Sequence, residues 1–359
     1  MGITIKLFDK GDEELLSQFC MEISKKVFLP SYWSWKYLQN PAGKAIVSLA
    51  LADNKIVGRF GIFPTRIQVG AQEIIAGQIM ETEILGGYRQ NGLISHLNKH
   101  ANEEFIKQGI GKVMMGFGTD ISSRLAVRFG GYNMVGPVRK MVKVLNPVNY
   151  LEGKFRTGIL SSLSGNIIKK YIKWRRGKLS NHLNVYTVHQ FDQKFDDFWH
   201  QVVKGNIMIR RDHAYLNWRY RECPAIDYKI LAVDNKGKLA GYIITYTHKK
   251  DGLIRGNIAD IIFQPEVTDC AEVLLMEALV GFCEAGAATV NIWCPKGIPL
   301  YSFLREMKFV ERSTYNYLVA KPLCEDISRE FLSDESNWYY MIGDSDHHIR
   351  PNYSDMTVN

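Results

Sequence analysis

A chain of 359 residues is long for one hydrophobic core and comfortable for two. Its 46% hydrophobic and 23% charged content is that of an ordinary folded protein, and no apolar run reaches the roughly 18–20 residues a helical membrane span needs. The net charge of +8 is local: residues 151–180 hold eight basic side chains against Glu152, which argues against a face built to coat nucleic acid.

The first elements read as a strand at Ile3–Leu7 and a helix through Leu15, Leu16, Phe19 and Ile23. Past Trp33–Pro41, the segment Ala45–Leu51 is a strand that Asp53-Asn54-Lys55 turns into Ile56–Phe63 as a hairpin. Strands follow at Gln68–Ile75 and Gln78–Leu85. Gly86-Gly87 ends the last, and a helix beginning near Gly92 runs through Leu97 to Ile106. Lys112–Phe117 is a strand, Ser122–Phe129 a short helix, and Tyr132–Val142 a final strand. The six cysteines show no CxxC and no paired histidine spacing, so we expect reduced thiols, no metal, and a cytoplasmic protein; the N-terminus turns acidic from Asp9 to Glu14, where a signal peptide would be apolar.

This order then returns. Trp35-Lys36-Tyr37 matches Trp218-Arg219-Tyr220 at an offset of 183, and the same offset carries Pro41-Ala42 onto Pro224-Ala225, Lys55 onto Lys238 and Gly58 onto Gly241. The expected elements of the second copy are strands at Tyr228–Val233, Leu239–Thr245 and Arg255–Phe263, a helix at Ala271–Glu284, a strand at Thr289–Cys294, a helix at Leu300–Lys308 and a strand at Ser313–Ala320. Two tandem copies of one α/β (α+β) fold are implied, each a mixed central sheet flanked by helices. We divide the chain into 1–145, a basic helical linker 146–200, 201–322, and an acidic tail 323–359. The aromatics of the repeat are read as packing residues, since both copies carry them.

The stretch Ile84-Leu85-Gly86-Gly87-Tyr88-Arg89-Gln90-Asn91-Gly92-Leu93-Ile94 is the richest in chemistry. A strand stops, glycines turn the backbone, and a helix opens with unpaired N–H groups suited to a pyrophosphate; Arg89 can add charge-assisted hydrogen bonds. With the later run Ser122 to Tyr132, this loop resembles the GNAT superfamily of acyl-CoA N-acyltransferases, whose cofactor loop reads Arg/Gln-x-x-Gly-x-Gly/Ala after the fourth strand. The departure is Ile94, where the family prefers a small residue. The resemblance implies that Ile84, Leu85, Arg89, Gln90, Asn91, Gly92, Leu93 and Ile94, with Ser122, bind acetyl-CoA, and that a backbone N–H of the fourth strand holds the oxyanion. In the second copy the equivalent stretch, Ile262 to Cys270, has no glycine and carries Glu266 and Asp269, so we expect it not to bind coenzyme A.

Alternation along Gln78–Leu85 puts Glu81 and Glu83 on the face opposite Ile84, and two neighbouring carboxylates can raise the pKa of one; both are candidate general bases. The family's frequent acid, a Tyr four residues before Gly131, is replaced by Val127. His96 and His100 are read as surface or packing residues.

In the linker, Leu160, Leu163, Ile167, Tyr171 and Trp174 recur at helical spacing beside lysines. Either the helix packs across the two domains with a solvated basic face, which we prefer, or 159–178 makes a peripheral membrane contact. Trp338, Tyr339 and Tyr340 are too apolar for a free tail, so it should dock, its acids facing Lys169–Lys178. The run Asp344 to His348 is not read as a metal site. The implied function is acetyl transfer to an amino group of a small acceptor, an amino sugar or nucleotide sugar, as in the surface-polysaccharide-associated relatives that the tail resembles. A Fem-type aminoacyl-tRNA-dependent transferase and a non-catalytic GNAT-fold binding protein are the alternatives.

Overall fold

The computed structural model describes residues 2–346 apart from Lys26, Gln90, Asn91, Ile110, 148–159, Ser180, Asn181, Lys204 and Thr268. The first half runs β1 (Thr4–Leu7), α1 (Glu13–Ser24), α2 (Pro30–Trp33) continued by a π-helical turn (Ser34–Leu38), β2 (Ile46–Ala52), β3 (Lys55–Val69), β4 (Gln72–Ile84), α3 (Leu93–Lys107), β5 (Gly111–Thr119), α4 (Asp120–Gly130), β6 (Asn133–Pro137) and β7 (Lys140–Val144). After α5 (Leu160–Gly177) the second half has β8 (Leu183–Thr187), α6 (Gln193–Val202), β9 (Met208–Ile209) and α7 (His213–Leu216), which again passes into a π-helical turn, Asn217–Arg221. It continues with β10 (Lys229–Asn235), β11 (Lys238–Lys250), β12 (Leu253–Phe263), α8 (Cys270–Glu284), β13 (Thr289–Trp293), α9 (Pro299–Glu306), β14 (Val310–Arg312), β15 (Asn316–Pro322) and α10 (Arg329–Ser333).

Two mixed sheets result, and they exchange strands. The first has the order β1-β2-β3-β4-β5-β15-β6, with β9 also on β3; the second is β14-β7-β13-β12-β11-β10-β8. The expected single strand Tyr132–Val142 breaks at Val138-Arg139, so β6 stays in the first sheet while β7 pairs with β13 and β14 in the second. Reciprocally, β15 leaves the second half and lies between β5 and β6. Boundaries at 145 and 322 therefore fall close to the crossing strands and do not separate the sheets.

The repeat has a geometric meaning. Trp35 and Trp218 stack with ring centroids 5.3 Å apart, and each indole N–H donates to the other residue's carbonyl, at 2.8 and 3.0 Å. The two repeated segments meet here through reciprocal contacts. Around the pair, one core joins aromatics from α1 and α2 with those from α6 and β11. Trp35→Phe leaves the Trp218 carbonyl without its donor inside this core, so we expect a loss of about 1–3 kcal/mol in urea unfolding, with strong non-additivity in the Trp35→Phe/Trp218→Phe double variant.

The repeated glycine marks close helix-on-strand packing. A Cβ on Gly58 would sit 3.2 Å from both Leu97 of α3 and Ile84, and one on Gly241 would meet Cys270 of α8 at 3.0 Å and the Ile262 carbonyl at 2.9 Å. In the first half this seats the stripe Leu93, Leu97, Ala101 and Phe105 of α3 on the sheet.

Candidate active site

The site is built where β4 and β5 part. Their parallel ladder ends at Ile79↔Gly116, after which the last residues of β5 pair only with β15. On the other side of β4 the register jumps from Arg59↔Glu83 to Gly61↔Met80, so Glu81 and Thr82 together oppose Phe60. This is a β-bulge, and Glu81 adopts φ of +59°, in a region a non-glycine residue rarely visits. The bulge leaves an extra residue outside the ladder at the mouth of the gap.

Glu81 is buried and wholly enclosed by donors. Lys36 Nζ lies 2.5 Å from it, the Tyr37 hydroxyl donates to it, and Arg59 Nη1 is 3.4 Å away. Arg59 turns its other edge to Glu83, at 2.6 and 3.0 Å, and lies over the Trp33 ring. The two glutamates thus share one arginine. Burial alone would push the Glu81 carboxyl up, but Arg59 and Lys36 hold it below the ordinary carboxylate range. The expectation that a carboxylate pair raises a pKa is corrected at Glu81, because a cation stands between the two acids.

Beyond β4, Arg89 is exposed, its Nε 3.3 Å from the Ile84 carbonyl. Gly92, at φ of +68°, starts α3 without a side-chain cap. The first amides to find helical acceptors are those of Ser95 and His96, so the amides of Leu93 and Ile94 have no acceptor within the helix. The side chains of Ile84 and Leu93 are buried, and those of Leu85 and Ile94 pack on the same core, which leaves backbone groups as what these four offer a ligand. Gln90 and Asn91 lie outside the described residues. Ser122 is exposed in the first turn of α4, its hydroxyl 3.0 Å from that of Thr119. His96 is exposed, and His100 Nδ1 pairs with the Ser48 hydroxyl at 2.8 Å.

On the face of β4 that carries Gln78 and Met80, a small cleft opens between the two halves. Lys36, Asn40, Thr65, Arg66, Arg210 and Arg219 give it polar walls, and Tyr215 and Trp218 give it ring faces. Residues 343–346 close it from behind. Asp344 takes both oxygens to Arg211 Nη2 at 2.9 and 2.8 Å, and its carbonyl accepts from Gln78 at 2.6 Å. Arg219 donates to the carbonyls of Gly343 and Ser345, and Asp346 lies 3.6 Å from Lys36. Among the tail's acids, Asp346 therefore faces Lys36 of the cleft, Asp344 the buried Arg211, Glu335 Arg139 and Asp326 Lys112, where the expectation had placed them against Lys169–Lys178. Three basic residues of that stretch pair instead with α8: Lys173 with Glu284, Arg175 with Glu272 and Arg176 with Glu277.

In the second half the corresponding strands also part, past Ile258↔Ile292. There the space is taken: Tyr339 donates to the Ile261 carbonyl, and Gly343 lies against the Ala259 carbonyl. The entry to α8 is Asp269, in the left-handed region, following Pro265 and Glu266.

Sequence reasoning took Lys36 and Arg219 only as matched positions of the repeat and Tyr37 as a packing aromatic, gave Asp346 no role beyond the acidic tail, and passed over Arg59 and Arg211. The available signal was a cation kept between two aromatics in both copies, at Lys36 and Arg219.

No sequence family and no curated protein matches the chain. Among solved structures it is similar to a GCN5-related N-acetyltransferase from Anabaena variabilis, at 14% identity over 89% of this chain and 72% of that one, TM-score 0.61. It is also similar to a conserved protein of unknown function from Enterococcus faecalis (11% identity, 90% and 73% covered, TM-score 0.62). A third is Saccharomyces cerevisiae N-myristoyltransferase solved with bound myristoyl-CoA (13% identity, 94% and 89% covered, TM-score 0.61). At these identities the likeness shows the fold, that of the GCN5-related acyltransferases. No helix among the described residues is long and apolar enough to cross a membrane.

Proposed function

We propose that the chain is an acetyl-CoA-dependent N-acyltransferase that acetylates an amino group of a small, polar acceptor, in our reading a nucleotide-linked amino sugar used for surface polysaccharide. The observation that carries this is the parting of β4 and β5 beside a bulge, with the uncapped start of α3 and Arg89 at its outer end. The pyrophosphate would rest on the amides of Leu93 and Ile94 beside Arg89, and the thioester would enter the gap. The acceptor would come from the cleft, whose cations suit phosphates and whose Trp218 and Tyr215 suit a base or sugar ring. Attack by the neutral amine forms the N–C bond, breaks the C–S bond and releases the thiolate. We assign removal of the amine proton to a relay in which Lys36 gives one of its protons to the Glu81 carboxylate as its nitrogen takes the proton of the amine; the Lys36 ammonium reaches both Glu81 and Asp346. Glu83 positions Arg59.

The filled gap of the second half supports one coenzyme per chain. Calorimetry with acetyl-CoA should give a single site, and Arg89→Glu should weaken it by more than about tenfold while leaving the melting temperature unchanged, since Arg89 is exposed. Two sites per chain, or unaltered binding by the variant, would overturn the assignment. A thiol-release screen over nucleotide amino sugars then tests the acceptor.

A further inference from the structure

Helix α5 shows two faces that sequence spacing alone does not separate. Its inner face is Ile172, buried, and Ile168, which packs on the core of the second half. Three ion pairs fasten that side to α8: Lys173–Glu284 at 3.0 Å, Arg176–Glu277 at 2.6 Å, and Arg175–Glu272. The stripe expected to pack, Ile167, Tyr171 and Trp174, instead faces solvent, at 68%, 52% and 56% exposure. These residues follow i, i+4, i+7 spacing, so they form one continuous strip. The other six tryptophans of the chain are all buried.

Basic side chains border the strip. Lys170 and Lys178 are exposed, with no carboxylate partner among the described residues, and Lys178 Nζ stands 4.0 Å from the centroid of the Trp174 ring. The acids of α8 that could have neutralised this side are committed to the inner face. An aliphatic, a tyrosine and a tryptophan flanked by free ammonium groups match an interface with apolar depth below and negative charge at its surface. Two copies of this chain meeting through the strip would bring like charges together, which disfavours self-association.

We propose that α5 docks this chain on an anionic lipid bilayer, with Ile167, Tyr171 and Trp174 entering the headgroup boundary and Lys170 and Lys178 against lipid phosphates. The attachment is peripheral and electrostatically gated.

The full chain can be tested by flotation with vesicles of phosphatidylcholine alone or mixed with phosphatidylglycerol. We expect flotation with the anionic vesicles, weak flotation with the neutral ones, and loss at high salt. Because Trp174 is the one exposed tryptophan, anionic vesicles should shift its emission to the blue, and Trp174→Phe should remove the shift. The combined Ile167→Ser/Tyr171→Ser/Trp174→Ser variant and the Lys170→Glu/Lys178→Glu variant should each lower partitioning at least about tenfold. Both sets lie outside the core, so unchanged melting curves are expected and would show that the loss is not unfolding. Absence of flotation with anionic vesicles, or equal flotation by the triple serine variant, would overturn the proposal. So would concentration-dependent self-association of the wild type that the serine variant abolishes, which would make the strip an interface between copies.

Discussion

Arg211→Met should cost about 3–5 kcal/mol of stability, a fall in melting temperature of roughly 10 °C or more. Arg211 is buried, bonded to Asp260 at 2.9 Å, to both oxygens of Asp344, and to the Ile209 carbonyl at 2.6 Å. Removing it leaves two buried carboxylates facing each other with no cation of their own. Asp344→Asn should cost less, because Arg211 and Asp260 remain as a neutral pair. The proton linkage separates the two variants further. Burial, and then the Asp344 charge, push the Asp260 carboxyl up from 3.8 to about 6. The native state therefore holds a proton that the unfolded chain has lost between those values, and stability falls as pH rises through that window. Asp344→Asn removes the like charge, so the slope in chemical unfolding between about pH 4 and 6 should flatten. A slope equal to that of the wild type would mean Asp344 does not govern Asp260. Deleting residues 335–359 removes Asp344 together with Trp338, Tyr340 and Met341, all buried, and should abolish cooperative unfolding.

Local signals in the sequence were sufficient for most elements and for the strand–turn–helix around Gly92. Period-two and period-3.6 patterns and a glycine at a left-handed position are decided by near neighbours. What they could not decide was which sheet a strand joins. The alternation in Tyr132–Val142 is the same whether the strand runs on or breaks at Val138-Arg139 and crosses over, and β15 reads equally well beside β14 or between β5 and β6. The bulge at Glu81 was also hidden, because a left-handed glutamate is held there by Lys36, Tyr37 and Arg59, partners distant in sequence. In α5, Ile168 and Ile172 form a second apolar stripe next to Ile167, Tyr171 and Trp174, and only the position of α8 chooses between them. The tail aromatics did signal burial. Its acids did not signal their partners, since Arg211 and Lys36 are buried cations whose need for charge is visible only in three dimensions.

Glu81→Gln should lower turnover on the order of 10²–10⁴-fold and also cost about 3–5 kcal/mol, so neither number alone identifies a catalytic group. The carboxylate is the common acceptor of Lys36 and Tyr37 and adjoins Arg59, and an amide cannot neutralise those cations. Its acidity supplies one check. The folded pKa lies below the ordinary 4.5, so the stability it contributes is present above that value and is lost as pH falls through the lower, folded value; the glutamine variant should lose this acid sensitivity. The decisive comparison pairs the change with Lys36→Met, which removes one unbalanced cation while Arg59 keeps Glu83. The double variant should recover much of the stability lost in Glu81→Gln, because a buried charge without its partner is what that single variant created. If Glu81 and Lys36 carry the acceptor's proton, turnover should stay low in this refolded double variant, with coenzyme binding intact by calorimetry. A double variant that regains both its melting temperature and its kcat would place Glu81 among the residues that only hold the bulge, and the proton would then leave through another group of the cleft.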